Sequence, residues 1–161
     1  MGGSIVVAHS VGAMAVDRAN RRGAQAPAAA IAVNGWEPTT ARRALGVLSK
    51  VQQAILRPPK GQRGRLLGVL GGNAFQSIIR PRGNYWPLRH GNAFSTADML
   101  GRFVADEVPV LAVANSNDRV IRPEPSRYAA MPYIEIPGTH DDILVDPAHV
   151  IAAIVTGIGQ H

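Results

Sequence analysis

Four short apolar runs, the first of them without any polar alternation, restrict the fold of this 161-residue chain more than any other feature. They are Ile5-Val6-Val7-Ala8, Ala28 to Val33, Val108 to Val113 and Tyr133 to Ile136. The first suits a strand buried on both faces of a parallel sheet, which requires covering helices. Candidate helices are present. An Ala/Val/Met-rich segment from Val11 to Ala19 ends at Arg21-Arg22-Gly23, basic residues followed by a glycine that can close a helix. A last helix is expected after Asp146, a favourable N-cap, with Pro147 at its first position and Val150, Ile151, Ile154, Val155 and Ile158 as its apolar stripe. Strand, helix, strand, insertion, strand, strand, helix predicts an α/β chain with a mostly parallel sheet flanked by helices. With 46% hydrophobic and 17% charged residues, a single domain can bury a core unaided.

Charge divides the chain in the same way. No acidic residue lies between Glu37 and Asp98, whereas residues 38–97 carry ten basic ones, Arg63, Arg65, Arg80 and Arg82 among them. The remainder holds seven basic and eleven acidic side chains, so a mildly acidic body carries a basic insert. Within the insert, Ala41 to Leu56 has helical spacing and stops at Pro58-Pro59, while Arg80 to Asn92 is rich in Pro, Gly and Asn and reads as loop. Such a surface can attract anions or nucleic acid at long range, but no nucleic-acid motif accompanies it. A solvated, Arg-rich surface is the expectation, and no nucleic-acid partner is expected. Fifteen Arg against two Lys points to a coding bias in the whole chain.

Several functional classes are excluded at once. Without cysteine there is no disulfide framework, thiol nucleophile or thiolate zinc site. His140, Asp141, Asp142, Asp146 and His149 cluster in sequence without a metal-binding spacing, so no metal or other cofactor is expected. No run reaches the ~18 apolar residues of a membrane span. Met1-Gly2-Gly3-Ser4 lacks the features of an export signal, which leaves the cytoplasm as the default address.

The chemistry begins where the first run ends. Ala8-His9-Ser10-Val11-Gly12 places a serine between a buried strand and a helix, with small residues two positions away on each side. That is the pattern of a nucleophile elbow, in which larger neighbours would collide with the turn. It would also aim the Val11 backbone N–H beside the serine hydroxyl, where a helix N-terminus favours negative charge. A serine hydroxyl needs a base and a group to orient that base. Asp118 follows the third run in Asn115-Ser116-Asn117-Asp118, and His140 follows the fourth in Pro137-Gly138-Thr139-His140. Plainer readings stand beside these. Ser10 can be an ordinary helix N-cap and Asp118 an Asx-turn residue. His9 reads as structural, while Trp36, Tyr85 and Trp86 suit either a pocket or packing.

The order Ser, Asp, His, each at a strand end, resembles the α/β-hydrolase superfamily. Ile5 to Gly12 resembles its nucleophile strand and elbow, Asn117 to Ile121 its acid loop, and Gly138 to His140 its histidine loop. The resemblance covers residues 1–37 and 108–161. It implies a serine hydrolase acting on an ester, thioester or amide, with Ser10 as nucleophile, His140 as base and acid, Asp118 as orienting acid and the Val11 N–H as an oxyanion donor. It also implies that residues 38–107 form a cap inserted within a single domain spanning 1–161. Two departures accompany it. Ala8 stands where the family has Gly, and only nine residues precede Ser10 where the family has four strands and a loop bearing a second oxyanion donor. The implied fold is therefore a partial one, equivalent to strands five to eight, as in a truncated product, a start at an internal Met or half of a split protein. Loss of one oxyanion donor costs ~10²–10³ in rate. The Ile5–Ala8 strand would be an apolar edge open to a second copy or a partner. A non-catalytic remnant or binding module of the same half-fold, or a basic anion binder, are the alternatives from other functional classes.

Overall fold

The structure, a computed structural model, describes residues 3–38, 93–118, 121, 124–140, 142–145 and 147–158. Strands β1 (Ile5–His9), β2 (Ala29–Val33), β3 (Val110–Asn115) and β4 (Tyr133–Ile136) form one sheet in that order, every neighbouring pair parallel. The expected runs are the observed strands, the fourth unchanged and the other three with boundaries moved by one or two residues. Parallel pairing in sequence order brings all four carboxyl ends to one edge of the sheet.

Side-chain alternation sorts the two faces. Ala8, Ala30, Ala32 and Ala112 face one side, where α1 (Gly12–Arg21) and α2 (Thr96–Ala105) pack. Alanines on the sheet leave room for bulky helix residues, and Met14, Leu100 and Phe103 fill it almost without exposure. Ile31, Val33, Leu111 and Val113 face the other side against Val150 and Ile154 of α4 (Ala148–Ile158), which the short helix α3 (Asp142–Val145) precedes. The α/β architecture with flanking helices is as the apolar runs predict.

Two expectations of burial fail for one reason. The apolar run of β1 predicts cover on both faces, yet Ile5 is 57% and Val7 50% exposed. The stripe of the last helix is only half used, because Ile151 and Val155 are 53% and 66% exposed. α4 lies over β3 and β4 and leaves the β1 end of that face open, so one flank of the helix and one face of β1 lose their cover together. Asp146 lies outside the described residues; Pro147 precedes the helix, its carbonyl accepting from Ile151 N–H at 2.8 Å. Gly23 closes α1 in the left-handed region, at φ +83°, as the Arg21-Arg22-Gly23 signal implies.

Most of the expected 38–107 insertion, residues 39–92, lies outside the described residues, and with it Tyr85, Trp86 and most of the basic side chains. Its last part is described and holds α2, which sequence reading missed. The signal was Ser95-Thr96-Ala97-Asp98, a capping pattern ahead of an apolar stretch. Ser95 Oγ accepts from Asp98 N–H at 3.1 Å. The half-buried Glu37 completes the cap: Oε1 accepts from Ala97 N–H at 3.0 Å and Oε2 from the Ser95 hydroxyl at 2.7 Å. Glu37 Oε1 also accepts from Tyr128 Oη at 2.6 Å, at the end of a 3-10 turn, Pro125–Tyr128. Burial, and then this bond to Glu37, hold the Tyr128 phenol well above its ordinary pKa, so it remains a donor. Among the described residues no helix is long and apolar enough to cross a membrane.

Glu37 thus ties the chain after β2 to the start of α2 and to the turn before β4. Glu37→Ala strands three donors at once and is expected to lower unfolding free energy by about 1–3 kcal/mol, read from urea denaturation. An unchanged midpoint with an unchanged slope would contradict the role of this clasp.

Candidate active site

The first residue past β1 carries the local feature on which the site is built. Ser10 lies in the left-handed region at φ +50°, a conformation that costs an L-residue roughly 1–2 kcal/mol. It is held there at both ends: Ser10 N–H donates to Val33 O at 3.0 Å, and Ser10 O accepts from Ala13 N–H at 3.2 Å. The turn presents the serine between strand and helix, and the N-cap of α1 is Val11, with no side-chain capping bond. The N-cap reading of Ser10 is therefore incorrect, and its hydroxyl is not consumed by the helix. Steric demand at Gly12 is also absent, since a Cβ built there meets nothing within 4 Å. What remains of the elbow argument is the strain at Ser10 itself and the burial of Ala8, which is 4% exposed.

Asp118 and His140 come together as an oriented pair. His140 Nδ1 lies 2.7 Å from Asp118 Oδ2, and an N–H there donates to the carboxylate. That tautomer leaves the Nε2 lone pair available as a base. Asp118 is 2% exposed, and its other oxygen, Oδ1, accepts from Ile121 N–H at 2.8 Å. One oxygen of Asp118 thus serves the local turn and the other meets the His140 ring. A buried carboxylate with both oxygens engaged avoids the penalty of an unpaired one.

Two residues that sequence reading did not place in the site grip the backbone of His140. Its carbonyl accepts from Asn34 Nδ2 at 3.0 Å and lies 2.8 Å from His9 Nε2, whose N–H donates to it. The His9 and His140 rings meet at a centroid distance of 4.8 Å with a 46° tilt. Asn34 is fully buried, left-handed at φ +48°, and its Oδ1 accepts from Asn115 N–H at 2.8 Å. In the sequence Asn34-Gly35 reads only as the close of a strand.

The structure places Ser10 at the end of β1 and the Asp118–His140 pair beyond β3 and β4, all at the carboxyl edge of the sheet. Among the described residues, neither the Ser10 hydroxyl nor the Val11 N–H makes a hydrogen bond. Asp141 and Asp146 lie outside the described residues, and no three His, Asp or Glu side chains among the described ones converge as metal ligands would.

The turn into His140 is set by close packing at Gly138. This residue has φ +153°, and a Cβ on it would fall 2.2 Å from Asn115 Nδ2 and 2.5 Å from Asp142 Oδ2. Asp142 Oδ2 in turn accepts from Thr139 N–H at 2.9 Å, beside the His140 backbone. Gly138→Ala is expected to displace this loop. The measurable results are a lower thermal midpoint and a shifted His140 imidazole N–H resonance, and a variant unchanged in both would contradict the packing argument.

No family model matches the sequence, and no curated protein matches it. Likeness appears in structure. A carboxylesterase from the thaumarchaeon Nitrososphaera gargenis aligns over 98% of this chain and 64% of its own, with a TM-score of 0.55 and 14% identity. A protein assigned as a non-heme bromoperoxidase from Mycobacterium tuberculosis aligns over 97% of this chain and 66% of its own, with a TM-score of 0.54 and 17% identity. The thioesterase domain of the curacin biosynthetic pathway aligns over 94% of this chain and 66% of its own, with a TM-score of 0.50 and 18% identity. The chain therefore spans about two thirds of the length of these structures. The parallel sheet, the strand-to-helix serine turn and these likenesses together identify its architecture as part of the α/β-hydrolase fold.

Proposed function

We propose that the chain is a serine hydrolase that cleaves an ester, thioester or amide through an acyl-enzyme on Ser10. The observation that carries the proposal is the 2.7 Å His140–Asp118 pair at the same sheet edge as a left-handed serine whose hydroxyl caps nothing. Esterase and thioesterase are the activities named for two of the structural neighbours, which agrees with a carbonyl substrate.

In this mechanism His140 Nε2 takes the Ser10 hydroxyl proton as Oγ attacks the substrate carbonyl carbon. The Nδ1–H bond to Asp118 Oδ2 fixes the tautomer and stabilises the imidazolium that forms. The carbonyl oxygen, negative in the tetrahedral intermediate, is met by the Val11 N–H at the start of α1, where the helix dipole favours negative charge. Collapse expels the alcohol, thiol or amine, which receives the proton from His140. Water then attacks the acyl carbon with His140 as base again and frees Ser10. No step calls for a metal or an organic cofactor. Ser10 and His140 are not hydrogen-bonded in the unliganded chain, and such contacts commonly tighten only once substrate is bound.

A fluorophosphonate probe tests the reading directly. The chain is expected to label at Ser10, Ser10→Ala to abolish labelling, and His140→Ala to reduce it to background, all three with similar thermal midpoints. Asp118→Asn, which reverses the hydrogen-bond preference at Nδ1, is expected to slow labelling by roughly 10⁴-fold. Absence of labelling in the folded wild-type chain would favour a non-catalytic binding module on the same fold.

A further inference from the structure

We infer that His9 and Asn34 are positioning residues that fix the catalytic base through its main chain, a role that rests on the serine-hydrolase reading of Ser10 and His140. A carbonyl oxygen has two lone pairs, and on His140 both are engaged, by His9 Nε2 at 2.8 Å and Asn34 Nδ2 at 3.0 Å. Two donors from different directions restrain the position of that carbonyl group and of the Cα attached to it, from which the imidazole is carried. The Asp118 bond fixes the far end of the same side chain at Nδ1. The imidazole is thus held at its root and at its ring, and neither restraint alone would set the position of Nε2.

The origins of the two donors give this its functional content. His9 is the neighbour of Ser10, so its bond ties the base to the residue beside the nucleophile, across 131 positions of sequence. Asn34 is the first residue past β2, and its Oδ1 accepts from Asn115 N–H at 2.8 Å at the end of β3. One side chain therefore joins the ends of two strands to the loop beyond the fourth. A fully buried Asn with both amide atoms engaged has a fixed rotamer, and its left-handed backbone is a conformation that Asn tolerates better than most residues. The hydrogen bond from His9 places its proton on Nε2, and the ring lies against that of His140 at 4.8 Å.

Misplacing a general base by a fraction of an ångström slows the chemical step with little effect on substrate affinity. The test uses His9→Phe, which keeps a ring but loses the donor, and Asn34→Gly, which keeps the left-handed backbone but loses both side-chain bonds. Each is expected to lower kcat and the rate of fluorophosphonate labelling roughly ten- to a hundredfold with KM nearly unchanged. His9→Gln, which can still donate, is expected to recover part of the loss. A second readout is independent of activity: the His140 Nδ1–H resonance should shift or broaden in His9→Phe and Asn34→Gly while far-ultraviolet circular dichroism stays native. Variants that lose thermal stability but keep the wild-type resonance, and the wild-type labelling rate per folded molecule, would overturn the inference. If the wild-type chain does not label at all, the hydrolase reading fails. The resonance then decides alone whether these residues position His140, and an unchanged resonance rejects that too.

Discussion

The parallel ladder continues one residue past the end of each inner pairing, and the site depends on that extra bond. Ser10 N–H reaches Val33 O at 3.0 Å, Asn34 N–H reaches Val113 O at 2.9 Å, and Ser116 N–H reaches Ile136 O at 2.9 Å. Each strand is therefore anchored at the point where the chain leaves the sheet. At Ser10 and Asn34 the departure is abrupt, through left-handed backbone at φ +50° and +48°. A strained residue persists only where its surroundings fix it, and a sheet hydrogen bond on its own N–H is such a restraint. The serine, the asparagine and the acid and histidine loops are gathered because parallel pairing brings strand ends to one edge.

The period of two along β1 decides which partner each residue can reach. Ala8 faces α1 and α2 as part of the same core as Met14 and Leu100. His9 turns to the opposite face, the one that α4 covers over β3 and β4. The histidine loop runs from β4 to α3 and α4 and passes on that same face, which is why His9 meets the His140 carbonyl. A one-residue slip in the pairing of β1 with β2 would exchange these faces, removing the helix-facing alanine and the donor to His140 together.

What was legible in the sequence was local. The β-branched runs named the strands, and Ser10, Asp118 and His140 were marked by their place directly after those runs. The unread parts are those whose causes are distant. Asn34 acquires its role from partners 106 and 81 positions away, which no short motif contains. The exposure of Ile5 and Val7 follows from strand order and from where α4 lies, properties of the assembled sheet. Helix α2 was missed because a segment rich in glycine and asparagine precedes it, although its capping serine and Asp98 were in plain sequence. The steric argument for Gly12 was local and finds no support, since a Cβ built there meets nothing within 4 Å among the described residues.

On the hydrolase reading, the division between fixed and adjustable parts has a mechanistic consequence. Asp118 cannot rotate without breaking a bond, since Ile121 N–H holds one oxygen and His140 holds the other. The His140 ring cannot swing without losing Asp118, and its root cannot shift without losing His9 and Asn34. The base is therefore organised before substrate arrives, and the polar groups that would otherwise have to reorient are already fixed by protein dipoles in place of water. The Ser10 hydroxyl is the exception. It has a single rotor, and ordering one rotor costs far less than assembling an imidazole and its carboxylate in the transition state. Strain in the Ser10 backbone keeps that rotor at the turn, between the end of β1 and the Val11 N–H, which no described residue engages. The conformational cost of the site is thereby met during folding, by the sheet, and little of it remains to be met during the reaction.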